Sequence, residues 1–371
     1  MKKIAYIISS VNKSVAFEWI AEDIDSSKFE LFFILLNNQN SPLENFLIKK
    51  DIPTFRVNYK NKNDIPLAIF KIMRILKQKK IDIVHCHLFD ACIVGLTAAK
   101  ILGIKKRIHT RHNATIHHQY HPQAVKYDKY INSISTDIIA ISENVKNILV
   151  EMEHVNPSKI ILIHHGFQLE EFENISQERI ENVIARNFSL KPKSPVIGVI
   201  SRYIHWKGIQ YIIPAFKKII EIYPNAHLVL ANAGGPYKNE IETLLSELPK
   251  NNYTEINFEE DIFALYQLFD IFVHAPIDEK SEAFGQVYIE TMAAGVPSVV
   301  SLSGIAADYI KHNENALVVP FKNSEQIATN IIQLIENLPL KEKIIEEGKK
   351  SIKKIFSMDV MITKLEKLYG E

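Results

Sequence analysis

Residues 195–223 read PVIGVISRYIHWKGIQYIIPAFKKIIEIY, and this stretch decides the fold. Val196–Ile200 is a short apolar, β-branched run, the mark of a buried strand. After Gly208, apolar residues fall at 209, 212, 213, 216, 219, 220 and 223, which is the stripe of a helix with one buried face. Pro214 interrupts that stripe and should kink the helix or delay its start. A strand that runs through a short loop into a helix is the unit of a parallel sheet.

The same alternation extends in both directions. Upstream, strands are expected at Ile4–Ile8, Phe29–Leu35, Thr54–Val57, Ile81–His85, Arg107–Thr110, Ile138–Ile141 and Ile160–Ile163, with helices at Asp64–Lys79, Ala91–Leu102 and Glu143–Met152. Downstream, strand or helix patterns recur at His227–Ala231, Glu240–Leu248, Ile262–Phe269, Ile271–His274, Gly285–Ala294 and Ser298–Ser301, and Ser324–Tyr369 is amphipathic and helical. Gln168–Ser194 is polar and ends in Lys-Pro-Lys-Ser-Pro, so it reads as a break in the series. The expected organisation is α/β. A Rossmann-like domain spans 1–168, a linker 169–194, a second Rossmann-like domain 195–337, and a helical segment 338–371. Open sheets of this kind bind ligands at the carboxyl ends of their strands, and two such domains facing each other would place a site in a cleft.

Composition narrows the function. Lys and Arg number 44 against 43 Asp and Glu, so the basic surplus of a general nucleic-acid binder is absent. The two cysteines, Cys86 and Cys92, cannot form a disulfide scaffold and fit a reducing, cytoplasmic setting. The opening MKKIAYIISS has an apolar run too short for a signal peptide and reads as a first strand. No stretch reaches the length of a membrane span.

Two segments carry the chemistry. Ser201-Arg202-Tyr203-Ile204-His205-Trp206-Lys207-Gly208 forms the loop between a strand and a helix, where anions bind. Arg202 offers a planar fork and Lys207 a point charge, which could neutralise a diphosphate or could belong to a solvated loop. In SEAFGQVYIETMAAGVP, residues 281–297, a helix is expected from about Phe284 to Ala294, closed by Gly295 and Pro297. Its first N–H groups, near Phe284 and Gly285, would face a phosphate, and Gly285 would let the ligand approach the backbone. Glu282 precedes the helix and Glu290 lies inside it, one carboxylate on either side of that phosphate site. Carboxylates accept hydrogen bonds and so suit hydroxyl-rich partners, although two surface glutamates would show the same spacing.

These segments resemble a known family. Glu282 and Glu290, with seven residues between them, look like the Glu-x7-Glu signature of retaining glycosyltransferases of family 4, which have the GT-B fold: two Rossmann-like α/β domains facing across a cleft. EAFGQVYIETMAAGVPSVVS, RYIHWKG, LIHHGFQ and ENALVVPFKNSEQIA resemble four family motifs, in order, across about Asp82 to Leu334. The resemblance implies transfer of a sugar, with retention, from a nucleotide-diphosphate donor, UDP or GDP, to a sugar or lipid-linked acceptor in surface glycan or glycolipid synthesis. It implies that Arg202 and Lys207 bind the diphosphate and Glu290 the ribose. Glu282 would contact the transferred sugar, with backbone of Ala283, Phe284 and Gly285 lining sugar and phosphates. His112, in Thr110-Arg111-His112, would lie by the reacting sugar, and Gly166 at the cleft near the hinge. The family uses neither metal nor cofactor. The final helix would cross back to the first domain, which would bind the acceptor while the second binds the donor.

Several residues depart from the family pattern. The first βα loop, Ser9-Ser10-Val11-Asn12-Lys13-Ser14, has no glycine where the family is Gly-rich. Acceptor binding there must differ, with Ser10 and His87 as cleft candidates. Ala283 replaces a glycine, and Ser303–Asp308 replaces the family's G-G-x-P-E. Ten of the 14 histidines lie between His85 and His165, and His85-x-His87 or His117-His118-x-x-His121 could hold a metal. Lys77-Gln78-Lys79-Lys80 and Lys105-Lys106-Arg107 could give a solvated face or weak contact with anionic lipid at the inner face of a membrane. The rival functions are a nucleotide-sugar 2-epimerase on the same fold and a non-catalytic sugar-nucleotide-binding protein.

Overall fold

The computed structural model describes residues 1–188 and 194–371. The Lys191-Pro192-Lys193 end of the expected linker lies outside them. The chain forms two compact units, Met1–Phe167 with Phe356–Glu371, and Gln168–Ile355.

In the first unit, β1 (Lys2–Ser9), β2 (Phe29–Leu36), β3 (Thr54–Val57), β4 (Ile83–His87), β5 (Lys106–Arg111), β6 (Asp137–Ala140) and β7 (Ile160–Leu162) form one sheet. Its order is β3-β2-β1-β4-β5-β6-β7, and all neighbours pair in parallel. Parallel neighbours need crossovers, here including helices α1 (Ile65–Lys79), α2 (Phe89–Ile101) and α3 (Val125–Ile134). Cover on both faces explains the unbroken apolar run of β1, buried from Ile4 through Ile8. Helix α2 is buried along most of its length, and a Cβ on Gly95 would lie 2.6 Å from Cys86 Sγ and 2.8 Å from Ile7 Cδ1.

The second unit repeats the plan with β8 (Val196–Ile200), β9 (His227–Ala231), β10 (Tyr253–Ile256), β11 (Ile271–His274), β12 (Ser298–Val300) and β13 (Leu317–Val318), in the order β10-β9-β8-β11-β12-β13. Each sheet therefore reverses its winding once, between β1 and β4 and between β8 and β11. Those reversals are where an open α/β sheet leaves a crevice at its strands' carboxyl ends.

Three details differ from the sequence reading. The expected linker carries helix α4 (Gln177–Asn187), capped by Ser176 and docked on the second unit. Arg179 forks onto Asp261 with two bonds of 2.7 Å, Arg186 pairs with Glu259 at 2.6 Å, and Val183 is buried. Its polarity reflects ion pairing to the unit rather than open chain. Pro214 does not delay its helix. Helix α5 (Ile209–Ile222) starts at once and includes it. Ile209, Ile212, Ile213, Phe216 and Ile219 are all buried, at about 1.5–3 kcal/mol each, which outweighs the roughly 3 kcal/mol cost of one internal proline. The C-terminal segment divides, with most of helix α7 (Leu338–Phe356) in the second unit and helix α8 (Met358–Gly370) in the first. Among the described residues, no helix is long and apolar enough to cross a membrane.

Helix α8 is held in the first unit by polar contacts in a buried setting. The Tyr369 hydroxyl bonds the Tyr6 hydroxyl and, at 2.7 Å, His85 Nδ1, and Lys2 Nζ donates to the carbonyls of Tyr369 and Gly370 at 2.8 and 2.6 Å.

In the second sheet Gly198 packs closely on a ring: a Cβ there would stand 2.2 Å from the Phe269 side chain. Gly198→Ala is expected to destabilise the protein by about 1–3 kcal/mol, through a shifted strand or ring. Urea unfolding of the two proteins measures it, and an unchanged midpoint would show that the ring moves freely aside.

Candidate functional site

At the second reversal, the loop after β8 and the segment after β11 meet. Gly208 takes φ +76°, and a Cβ there would stand 1.8 Å from the Ala275 carbonyl oxygen, so only glycine lets the loop close onto the end of β11. Ile277 N–H donates to the Trp206 carbonyl at 3.0 Å and fixes that closure. Lys207 then sits with its Nζ 4.4 Å from the Trp206 ring centroid and donates to Glu282 Oε2 at 2.6 Å. His274, the last residue of β11, places Nε2 3.3 Å from the same oxygen. Arg202 is exposed on this loop.

Glu282 is almost wholly buried. Burial by itself would raise its carboxyl, but the Lys207 charge and the His274 bond outweigh it and hold the group at about 2. Burial pushes His274 down, so it is a neutral imidazole whose contact with Glu282 puts the proton on Nε2. Its Nδ1 is buried without a hydrogen-bond partner.

Helix α6 (Gln286–Ala293) begins at Gln286 instead of about Phe284. Gly285 takes φ +88°, which a helix cannot contain, and a Cβ there would strike the Tyr288 ring at 2.6 Å. The first free N–H groups of the helix are therefore displaced toward Gln286, beyond the turn made by Ala283-Phe284-Gly285. Glu290, inside the helix, accepts a 2.8 Å bond from the buried Tyr266 hydroxyl, and burial raises its carboxyl. The structure thus joins Lys207 to Glu282 directly and ties Glu290 to a different partner.

At the first reversal the groups are imidazoles. β1 pairs with β4 so that Ile8 lies opposite His87, while the Ser10 N–H donates to the Leu36 carbonyl at the end of β2 at 3.3 Å. His87 Nδ1 lies 3.1 Å from His112 Nε2, and His112 stacks on His165 with ring centroids 5.4 Å apart. Burial pushes His87 and His112 well below the usual histidine range and His165 down to about 4, so this cluster is uncharged near neutral pH. Ser10, at φ +56°, lines a separate polar pocket with Asn37, Tyr59 and Asp90. Gly166 packs on α8, where a Cβ would stand 2.9 Å from Met361 Cβ, so its role in the first unit is close packing.

The histidines offered as metal ligands have protein partners. His85 bonds Tyr369 and Thr110, His117 bonds Asp128 at 2.6 Å, and His118 bonds Glu153 at 3.2 Å. No group of three or more potential ligands is arranged to hold a metal among the described residues. Asp128 and Glu153 also pair with the buried Arg111 at 2.7 and 2.5 Å, and this network fixes the strand end that carries His112.

Sequence reasoning missed His274, Tyr266 and the Arg111 network. His274 had one signal, its place at the carboxyl end of a strand beside the reversal. Tyr266 had none, because its partner is 24 residues away.

The Lys207–Glu282 pair has a pH signature. A carboxyl held at about 2 when folded and near 4.5 when unfolded adds stability that is full above 4.5 and is lost as pH falls toward 2. Lys207→Met leaves the carboxylate buried without its cation, a change that costs about 3–5 kcal/mol in buried pairs. The variant is expected to be less stable than the parent at neutral pH, with the difference shrinking as pH falls through 4.5 and the carboxyl takes up a proton. Urea midpoints between pH 3 and 7 measure this, and parallel profiles would show that the lysine does not hold the carboxylate.

Comparison with known proteins agrees with this geometry. Residues 21–171 match the model of Glycosyltransferase Family 4, and residues 181–351 that of Glycosyl transferases group 1. A glycosyltransferase of Methanocaldococcus jannaschii is 28% identical over 298 residues, 78% of this chain and 75% of that protein. A capsular polysaccharide biosynthesis glycosyltransferase of Staphylococcus aureus is 27% identical over 331 residues, 83% of each chain. The structure of Anabaena HepE in complex with UDP-glucose superposes with a TM-score of 0.83 at 19% identity, covering 100% of both chains, which establishes a shared GT-B fold. With both units matched and the loop, glycine and paired glutamates in place, the chain belongs to the group 1 glycosyltransferases.

Proposed function

We propose that this glycosyltransferase is a retaining, metal-independent enzyme that moves a sugar from a nucleoside-diphosphate donor, UDP- or GDP-linked, to a hydroxyl-bearing sugar or lipid-linked acceptor in surface glycan or glycolipid synthesis. The observation that carries it is the second reversal point. There Lys207 pairs with Glu282, the turn at Gly285 packs against the Glu282 side chain ahead of α6, Arg202 is exposed on the loop that carries Lys207, and Glu290 lies about one and a half turns into the helix. The donor is assigned to the second unit and the acceptor to the first. The UDP-glucose bound by HepE and the capsular role of the S. aureus relative support the donor and product classes.

Breaking the anomeric C–O bond leaves negative charge on the diphosphate. Arg202, Lys207 and the helix N-terminus stabilise it, the electrostatic term that such sites use most. Lys207 can serve two partners, because an ammonium has three donors and Glu282 takes one. Those cations do the neutralising that a metal does elsewhere. Retention follows if the acceptor hydroxyl attacks from the leaving-group side and a phosphate oxygen takes its proton. Glu282 then orients sugar hydroxyls, Glu290 with Tyr266 holds the ribose, and neutral His112 offers a hydrogen bond to the reacting sugar. Backbone at Ala283, Phe284 and Gly285 lines the donor, and Ser10 and His87 lie on the acceptor side. A 2-epimerase would need no acceptor, and incubation of donor alone, with product analysis, separates the two readings.

Calorimetry tests the assignment. Arg202→Ala is expected to weaken UDP or GDP binding by about 1.5–3 kcal/mol, the worth of a charge-assisted bond. Glu290→Gln should weaken free nucleotide and intact donor alike. Glu282→Gln should spare free nucleotide while impairing donor binding or turnover. No nucleotide binding by the parent, or equal loss of free-nucleotide affinity in both glutamate variants, overturns the arrangement.

Turnover is expected to survive EDTA. Its full loss, restored by Mg²⁺ or Mn²⁺, would show that a metal does the neutralising.

A further inference from the structure

One face of the first unit takes no part in the sites above. Helix α2 packs between α1 and α3, and the three form a layer against the sheet. The layer's outer surface is basic and apolar together. On α1, Leu67, Phe70, Lys71, Arg74 and Lys77 fall on one exposed stripe at helical spacing, with Leu67 55% and Phe70 65% exposed. Ile101 at the end of α2 is 61% exposed beside Lys100, and α3 presents Tyr127 and Tyr130 between Lys126 and Lys129. The patch is continuous at its edge. Lys62, just before α1, lies 5.6 Å from the Tyr127 ring centroid, and the Tyr130 hydroxyl lies 3.0 Å from Thr97 Oγ1 on α2.

The opposite sign is sparse on this face: Asp64, just before α1, is bound to the N–H groups of Lys60 and Asn61 and lies near Lys71. Helix α1 contains no acidic residue. The acidic residue of α2, Asp90, is half-buried in its first turn, and that of α3, Asp128, is buried against Arg111. A chain with a net charge of +1 has therefore segregated cations here. The basic runs expected from sequence contribute only in part, since the Arg107 guanidinium is spent on the carbonyls of Ile104 and Ile134.

We propose that the outward face of α1, α2 and α3 docks on an anionic lipid bilayer. Lysine and arginine meet the lipid phosphates, while Leu67, Phe70 and Ile101 enter the acyl boundary and the tyrosines sit at headgroup level. A nucleic-acid backbone would match the cations but leave three exposed aliphatic and phenyl side chains without a partner.

Co-sedimentation of the full chain with vesicles of phosphatidylcholine and phosphatidylglycerol, 70:30 or pure phosphatidylcholine, tests this. The protein is expected to pellet with the anionic vesicles and not with the neutral ones, with binding weakened by salt. Lys71→Gln, Arg74→Gln and Lys77→Gln together should weaken binding roughly a hundred-fold, at about five-fold per charge near such a surface. Leu67→Ser with Phe70→Ser should remove the binding that persists in high salt. All five positions are exposed, so both variants should keep the parent's circular dichroism and unfolding midpoint. No binding to anionic vesicles, variants that pellet like the parent, or tighter binding to a DNA duplex than to the vesicles would each overturn the proposal.

Discussion

A carboxylate taken out of water must be given a cation and hydrogen bonds or it will take up a proton. Glu282 is such a group, and the second unit is arranged around meeting that requirement. Gly208 exists so that the loop after β8 can close on β11. The closure delivers Lys207, β11 ends in His274, and Gly304, at φ +60°, brings its own backbone against the Glu282 side chain, where a Cβ would stand 2.9 Å from Cγ. Remove the lysine and the glycines lose their purpose. The binding loop and the chemistry are thus one structural problem solved once.

The first unit meets a different constraint. Its strand ends carry imidazoles, and burial keeps them neutral: His85 and His109 fall to about 3 and His165 to about 4. Behind the strand end, the charges of Arg111, Asp128 and Glu153 satisfy one another. Where the second unit sets a buried ion pair at its reversal, the first therefore sets neutral imidazoles able both to donate and to accept. A neutral hydrogen-bonding surface suits hydroxyl groups, whose solvation it can replace without paying for a buried charge.

The strands were legible because parallel strands covered on both faces must be apolar throughout, and IAYII or VIGVI admits little else. Arg202, Lys207, Glu282 and Glu290 stood out through the resemblance of their motifs to those of a family, since spacing alone fits a solvated loop and two surface glutamates equally well. What was not legible depends on partners distant in sequence. The polarity of 177–187 suggested open chain until Asp261 and Glu259 supplied its counter-charges. The start of α6 was misplaced because a glycine that allows a helix also allows the left-handed turn that precedes one, and only the Tyr288 ring decides between them. Tyr369, buried against Tyr6 and His85, looked like the end of an amphipathic helix, and no periodicity could say that its hydroxyl completes a network begun at the sixth residue.

That network also orders the events of synthesis. The second unit is a continuous run of chain and can fold as soon as it has been made. The first unit cannot, although its strands are translated first, because Tyr6, His85 and Gly166 lie against residues of α8. The contacts that α8 makes with the seven-stranded sheet can form only after the whole of the second unit has been translated. The amino-terminal half is therefore the one whose packing is completed last, although its strands precede the rest in the chain.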